Sequence, residues 1–222
     1  MEIGIYKNKL ECSQAAGKKA AEILKEAIAK KGKATFIAAT GASQFDFLQT
    51  LIADKEIDWS KTRMFHLDEY IGLPESHPAS FRRYLKERFI SKVNPGEVVL
   101  VNGETDPVEE CKRLGKLIAE GEVDVAFVGV GENGHLAFND PPADFDTEEA
   151  FIVVELDEVC RKQQLGEGWF KSLDEVPTKA ISMSVKQIMK SKHIICTVPD
   201  LRKAEAVRDC FGDDTISNLH PA

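Results

Sequence analysis

Four short stretches of this sequence carry side chains suited to moving protons and gripping an anion, and each follows an apolar, strand-like run. TRMFHL (62–67) leads into Asp68-Glu69-Tyr70. A carboxylate held at a strand end in a part-buried cleft has a raised pKa and can take a proton from carbon next to a carbonyl. VDVAFVGV (123–130) leads into Gly131-Glu132-Asn133-Gly134-His135, with Asn139-Asp140 close behind. His135 has the one side chain in that loop whose unperturbed pKa lies near neutrality. Asp140, five residues on, is placed to orient its imidazole, and Asn133 offers an amide to the same relay. An isolated histidine here would read as a cap on the strand end, but the neighbouring glycines, amide and carboxylate turn the reading toward acid–base chemistry. ATFIAAT (34–40) ends in Thr40-Gly41-Ala42-Ser43. Small residues there let backbone N–H groups approach anionic oxygens, two hydroxyls add donors, and a following helix presents its positive end. HIICTV (193–198) leads to Lys203, within the first turn of a late helix and within reach of an anion.

GVGENG (129–134) also spells G-x-G-x-x-G, the dinucleotide-binding pattern. That reading needs a helix to start within the loop, so that its N-terminal amides face the pyrophosphate. Pro141-Pro142 follow His135 by six residues, which leaves room for barely a turn or two. The acid expected at the end of a second strand is missing too, since Glu155 lies inside its run. A nicotinamide or flavin site is rejected on that context. His66 alternates with Asp68 on one strand, which is too few ligands for a metal. Neither a cofactor nor a metal is expected.

The elements that must position these groups alternate. Helical spacing covers 13–31, with Ser13 as the expected cap, then 44–53, a helix opening at Pro78, 107–120, 185–190 and a helix from Asp200. Between them lie strands at 34–40, 62–67, 97–102, 123–130, 151–156, 180–184 and 193–198. This alternation predicts an α/β fold: a doubly wound, mostly parallel, Rossmann-like sheet flanked by helices, in a single domain over 1–222. In such sheets ligands bind outside the carboxyl ends of the strands, where all four stretches fall. The chain stops at NLHPA with no closing element, which reads as a C-terminal truncation.

Composition narrows the partners. The net charge is −8 with no Lys/Arg block, so nucleic acid is not expected. No apolar run spans a bilayer and no secretory leader opens the chain, so no membrane is expected either. Five scattered cysteines without a C-x-x-C pair fit the reducing cytoplasm. A homo-oligomer is left open.

FHLDEYIGLPESHPASFRRYL, VDVAFVGVGENGHLAFNDPP and VPTKAISMSVKQIMKSKHIICTVPDLRKAEAV resemble the glucosamine-6-phosphate deaminases (isomerases), and ATGAS resembles that family's phosphate loop. DEYIGLP and NGHLAFN side with the deaminases rather than with the 6-phosphogluconolactonases of the same fold. The resemblance implies an aldose–ketose isomerisation with loss of ammonia from a sugar phosphate, without a cofactor. It makes Asp68 the base between C2 and C1, and His135 the ring-opening group supported by Asn133 and Asp140. It puts the phosphate on Thr40, Gly41, Ala42, Ser43 and Lys203. The alternatives are a lactonase-like hydrolase or other sugar-phosphate isomerase, and a non-catalytic sugar-phosphate-binding regulator. Three departures stand out. Asp140 replaces a glutamate, so its contact with His135 is expected to need a water or a loop shift. Gly168 stands where the family has a phosphate-binding arginine, for which Arg161 or Lys162 is the expected substitute. The basic residues of the family's allosteric site are not evident in PPADFDTEEAF, so no such activation is expected.

Overall fold

The apolar runs of the sequence become two sheets rather than one. A computed structural model describes residues 1–212 and 215–222, and its strands in chain order are β1 Ala34–Ala38, β2 Thr62–His66, β3 Asp68–Tyr70, β4 Glu97–Val99, β5 Val125–Val128, β6 Phe151–Glu155, β7 Lys179–Met183 and β8 His193–Cys196. Five of them form a parallel sheet in the order β4-β2-β1-β5-β8. The other three pair antiparallel in the order β3-β7-β6. The mostly parallel, helix-flanked sheet is as expected. The separate antiparallel sheet was not: 151–156 and 180–184 do not extend the parallel sheet.

Every residue of β1 and β5 is buried, because helices cover both faces of the sheet. On one face Phe36, Phe47, Trp59, Phe89 and Phe127 pack ring to ring, with centroids 4.9–6.1 Å apart. On the other, Ile37, Phe65 and Val128 meet Leu114 and Ile188. A smaller core of Tyr70, Phe138, Cys160 and Phe170 lies beneath the second sheet.

Helix starts differ from expectation where a better cap lies nearby. Helix Lys9–Lys31 begins at Asn8, whose side chain accepts the Glu11 N–H at 2.9 Å, while Ser13 is buried inside the helix. Ser80, not Pro78, caps helix Phe81–Leu85 by accepting the Arg83 N–H. No helix among the described residues is long and apolar enough to cross a membrane.

Strand order fixes where a ligand belongs. From β1 the chain moves to β2 and β4 on one side, then crosses to β5 and β8 on the other. The loops leaving the adjacent carboxyl ends of β1 and β5 therefore diverge, and a crevice opens between them.

Candidate functional site

That crevice is lined by Ala39–Ser43 after β1, Leu67-Asp68 after β2, Gly129–Gly131 and His135 after β5, and Val198–Asp200, Arg202 and Lys203 after β8. Seven of the nine residues singled out from sequence for the site thus face one cavity: Thr40, Gly41, Ala42, Ser43, Asp68, His135 and Lys203. Asn133 and Asp140 do not line it and lie behind His135.

Asp68 sits where the chain changes sheets. The Leu67 N–H donates to Ala38 O of the parallel sheet, and Leu67 O accepts the Met183 N–H of the antiparallel one. The next residue therefore leaves the parallel sheet at its carboxyl edge and pairs with Ser182. Side chains alternate along a strand, so Asp68 and Glu69 face opposite ways. Asp68 is only 6% exposed, and burial, then the charge of Glu69, pushes its carboxyl up to about 8. No side-chain hydrogen bond engages it among the described residues.

Glu69 is its opposite, fully enclosed. It accepts the Ser80 hydroxyl at 2.9 Å, the Phe81 and Arg82 N–H groups at 3.2 and 2.8 Å, and the Arg82 guanidinium at 3.3 Å. Arg82 in turn reaches Asn102, Leu73 O and Glu104. This network pins segment 71–82 behind Asp68. Replacing Glu69 by alanine leaves a buried guanidinium short of its partner and is expected to lower stability by about 3 kcal/mol, read as a reduced urea midpoint.

The histidine loop docks on the second sheet. The Phe138 N–H donates to Ser182 Oγ at 3.1 Å, and Asn139 Nδ2 donates to Leu136 O and Met183 O at 2.7 and 2.9 Å. Strand β7 thus holds both Asp68 and the loop that carries His135. Asp140 Oδ1 meets His135 Nδ1 at 2.9 Å and accepts Asn133 Nδ2 at 3.0 Å, while Oδ2 accepts the Asp157 N–H at 3.3 Å. Burial pushes this carboxyl up, but those hydrogen bonds and the imidazole outweigh it and hold Asp140 below the usual range. The expected water or loop shift is not needed: the shorter side chain reaches the ring directly. Cys160 lies beside them, and burial and the surrounding carboxylates push its thiol so far up that it stays protonated. His135, Asp140 and Cys160 offer metal-ligating atoms within 4.8 Å of one another, but their hydrogen bonds make them a relay that turns Nδ1 away from the cavity.

Gly131 explains the glycine pattern. A Cβ built there would lie 2.3 Å from His135 Nε2 and 2.4 Å from Cδ2 and Cε1. The imidazole lies flat on that glycine, and the spacing serves a histidine rather than a pyrophosphate.

At the end of the crevice formed after β1, Gly41 adopts φ 99°, a conformation suited to glycine. Gln44 Nε2 donates to Ser43 Oγ and Val128 O at 3.2 and 3.3 Å, which ties this turn to the end of β5. Lys203 is 12% exposed at its side chain, and burial, only partly opposed by Glu132, lowers its pKa. Neither expected substitute for the missing arginine is here. Arg161 donates to Leu173 O and Val176 O, and Lys162 pairs with Glu158 in solvent. Arg202 lines the cavity instead. Sequence reasoning also passed over Gln163, Gln164 and Glu167, which reach the crevice from helix Glu158–Gly166 and its end. Gln164 accepts the Tyr70 hydroxyl at 2.8 Å, and Gln163 accepts the Glu132 N–H at 2.8 Å, so this helix clasps both β3 and the histidine loop.

The family described as glucosamine-6-phosphate isomerases/6-phosphogluconolactonase matches residues 7–222. A glucosamine-6-phosphate deaminase of Streptococcus pneumoniae serotype 4 is 34% identical over 212 residues, 95% of this chain and 88% of that relative. The solved structure of a monomeric glucosamine-6-phosphate deaminase is 32% identical and superposes with a TM-score of 0.90, covering 100% of this chain and 91% of that one. A 6-phosphogluconolactonase from Shewanella baltica has the same fold, with a TM-score of 0.78 at 18% identity over 97% of this chain and 88% of that one.

Proposed function

Because the chain belongs to the glucosamine-6-phosphate isomerase/6-phosphogluconolactonase family, we propose that it is a glucosamine-6-phosphate deaminase, converting the amino-sugar phosphate and water to fructose 6-phosphate and ammonia. The observation that carries this reading is Asp68, a buried carboxyl with no hydrogen-bonded partner, facing the same crevice as His135. A lactonase has no need of a carbon base there.

In this reading the phosphate rests on Thr40, Gly41, Ala42 and Ser43, with Lys203 as its buried cation and Arg202 beside it. His135 donates Nδ1–H to Asp140 and turns Nε2 to the sugar. Nε2 takes the O1 proton and returns one to O5 as the pyranose opens. Asn133 and Asp140 hold the ring in that tautomer. Asp68 then removes the C2 proton of the open aldehyde and delivers it to C1. The amine at C2 becomes an imine as one of its protons passes to O1, water adds to that carbon, and ammonia leaves. Oxidation at C2 balances reduction at C1, so no external redox partner enters.

The substrate itself prepares the base. An ammonium at C2 favours the ionised form of a neighbouring carboxyl, drawing Asp68 toward its active state on binding. We assign the reaction to the cytoplasm, in keeping with five cysteines that are all free thiols.

Ammonia release from glucosamine 6-phosphate tests the proposal, with 6-phosphogluconolactone as the counter-substrate. We expect ammonia from the first and no hydrolysis of the second. Lactone hydrolysis without ammonia would make the protein a lactonase. Binding of the sugar phosphate with neither turnover would make it a regulator.

A further inference from the structure

The anion end of the crevice holds more carboxylates than cations. Arg202 is already bound by Asp200, at 2.7 and 3.0 Å, and lies 3.5 Å from Glu132. Lys203 lies 3.8 Å from the same Glu132 oxygen. Glu167 lines this crevice and the adjoining cavity beneath Trp169 and Tyr84, and no hydrogen bond or ion pair engages its carboxyl among the described residues. Among the described residues, two positive charges thus face three carboxylates before any ligand arrives. Gly168, next to Glu167, supplies no cation. A phosphate dianion entering here meets a deficit of positive charge, and an ionised carboxylate close by repels it.

We propose that Glu167 is a specificity-determining ligand of the phosphate, which takes up a proton when the ester binds and donates it as an O–H hydrogen bond to a phosphate oxygen. The inference rests on the sugar-phosphate reading above. It follows from an otherwise unengaged carboxyl facing an anion site: ionised it repels the ligand, protonated it binds it. The proton comes from the buffer and no covalent bond changes.

The surroundings favour that state. Burial raises Glu167, and Lys203, Arg202 and His135 together oppose it without reversing it. Glu132 adds to the raising. The Tyr70 and Tyr84 hydroxyls nearby are neutral, both held far above their usual range by burial. Across the adjoining cavity stand Arg83, Arg88 and Glu87. Arg83 is paired with Glu87 at 2.8 Å, and Arg88 lies over the Phe45 and Tyr84 rings. From the helix preceding Glu167 the crevice receives only the neutral amides Gln163 and Gln164.

Calorimetric titration with fructose 6-phosphate, and separately with inorganic phosphate, in two buffers of different ionisation heat tests this. Wild type should take up about one proton more per ligand than Glu167→Gln above the second phosphate pKa of about 6. Glutamine keeps an N–H donor and cannot ionise. Glu167→Gln should therefore bind fructose 6-phosphate roughly five- to tenfold more tightly than wild type near pH 8.5 and equally near pH 6. Glu167→Ala, which loses the donor, should bind more weakly than Glu167→Gln at both values. Equal proton uptake by wild type and Glu167→Gln overturns the proposal. So does weaker binding by Glu167→Gln at both pH values, or absence of phosphate-ester binding by wild type. The ammonia assay on wild type judges the deaminase reading separately, since a protein that binds phosphate with this proton signature but releases no ammonia fails only that reading.

Discussion

Asp68→Asn is expected to give a protein that is more stable than wild type and turns over about 10²–10⁴-fold more slowly, the usual share of a general base. Asparagine fills the same space but accepts no proton, so kcat should collapse while KM for glucosamine 6-phosphate stays within a few-fold. Exchange of the C2 proton with solvent should vanish. In wild type, kcat/KM should climb as pH rises toward about 8, where the Asp68 carboxyl ionises in the empty site, and the residual activity of Asp68→Asn should lack that limb. Stability moves the other way. The folded protein holds the Asp68 proton up to about 8, whereas the unfolded chain releases it near pH 4. Between those values the native state binds more protons, so wild-type stability falls as pH rises through the window and the loss is complete above the folded pKa. The asparagine protein has no such loss. Its advantage should be negligible below about pH 4 and reach on the order of 1–3 kcal/mol above about pH 8, several degrees in Tm for a chain of this size. Melts at the two pH extremes, paired with deuterium exchange at C2, check both halves. Wild-type-like exchange would move the base to another group, and a lower Tm at high pH would mean the carboxyl is a structural contact.

Asp68 was readable because a strand signal ends there and an acid follows, but its neighbour's role was not. The same two letters, Asp-Glu, make one free carboxyl and one enclosed by five donors, the Tyr70 N–H among them, and the difference lies in which face of β3 each takes. That depends on β3 leaving the parallel sheet for β7, a pairing between segments far apart in the chain that no local pattern encodes. The relay was half legible. His135, Asn133 and Asp140 lie close in sequence, so their meeting follows from one tight loop. Cys160, Gln163, Gln164 and Glu167 were missed because EVCRKQQLGEG is mostly polar, with only Val159, Cys160 and Leu165 apolar, like a solvated surface helix. Its polar face turns to the crevice only because the Tyr70 hydroxyl and the Glu132 amide hold it there. The missing arginine shows the same limit. Arg161 and Lys162 lie nearer to position 168 in sequence, yet the first is spent on carbonyls and the second faces solvent. Arg202 arrives from the far side of the sheet, where β8 ends.

Gly131→Ala should be nearly as damaging as loss of His135 itself, although a single methyl group is added to a loop. Gly131 does not have a left-handed backbone, so alanine is allowed there on conformational grounds, and the effect is purely steric. The new Cβ would sit 2.3–2.4 Å from three ring atoms, more than an ångström inside ordinary contact. The ring cannot simply tilt, because Asp140 grips Nδ1 at 2.9 Å and the main chain ties the Gly131 N–H to His135 O at 2.9 Å. Either the imidazole moves by about 1 Å, which costs on the order of 10²-fold in rate for a proton-transfer group, or the loop shifts and takes the crevice with it. Overpacking should lower stability by about 1–3 kcal/mol as well. Gly129→Ala is the matched control from the same glycine pattern. Its Cβ would come no closer than 3.1 Å, to the movable Ser43 hydroxyl, so kcat should fall only a few-fold. A dinucleotide loop, in which both glycines serve cofactor approach, would register the damage in nucleotide affinity. A histidine platform registers it in ring opening, measured as the rate of anomer interconversion of the bound sugar phosphate. Equal, small losses in both variants would mean that His135 works from another position than the one it occupies over Gly131.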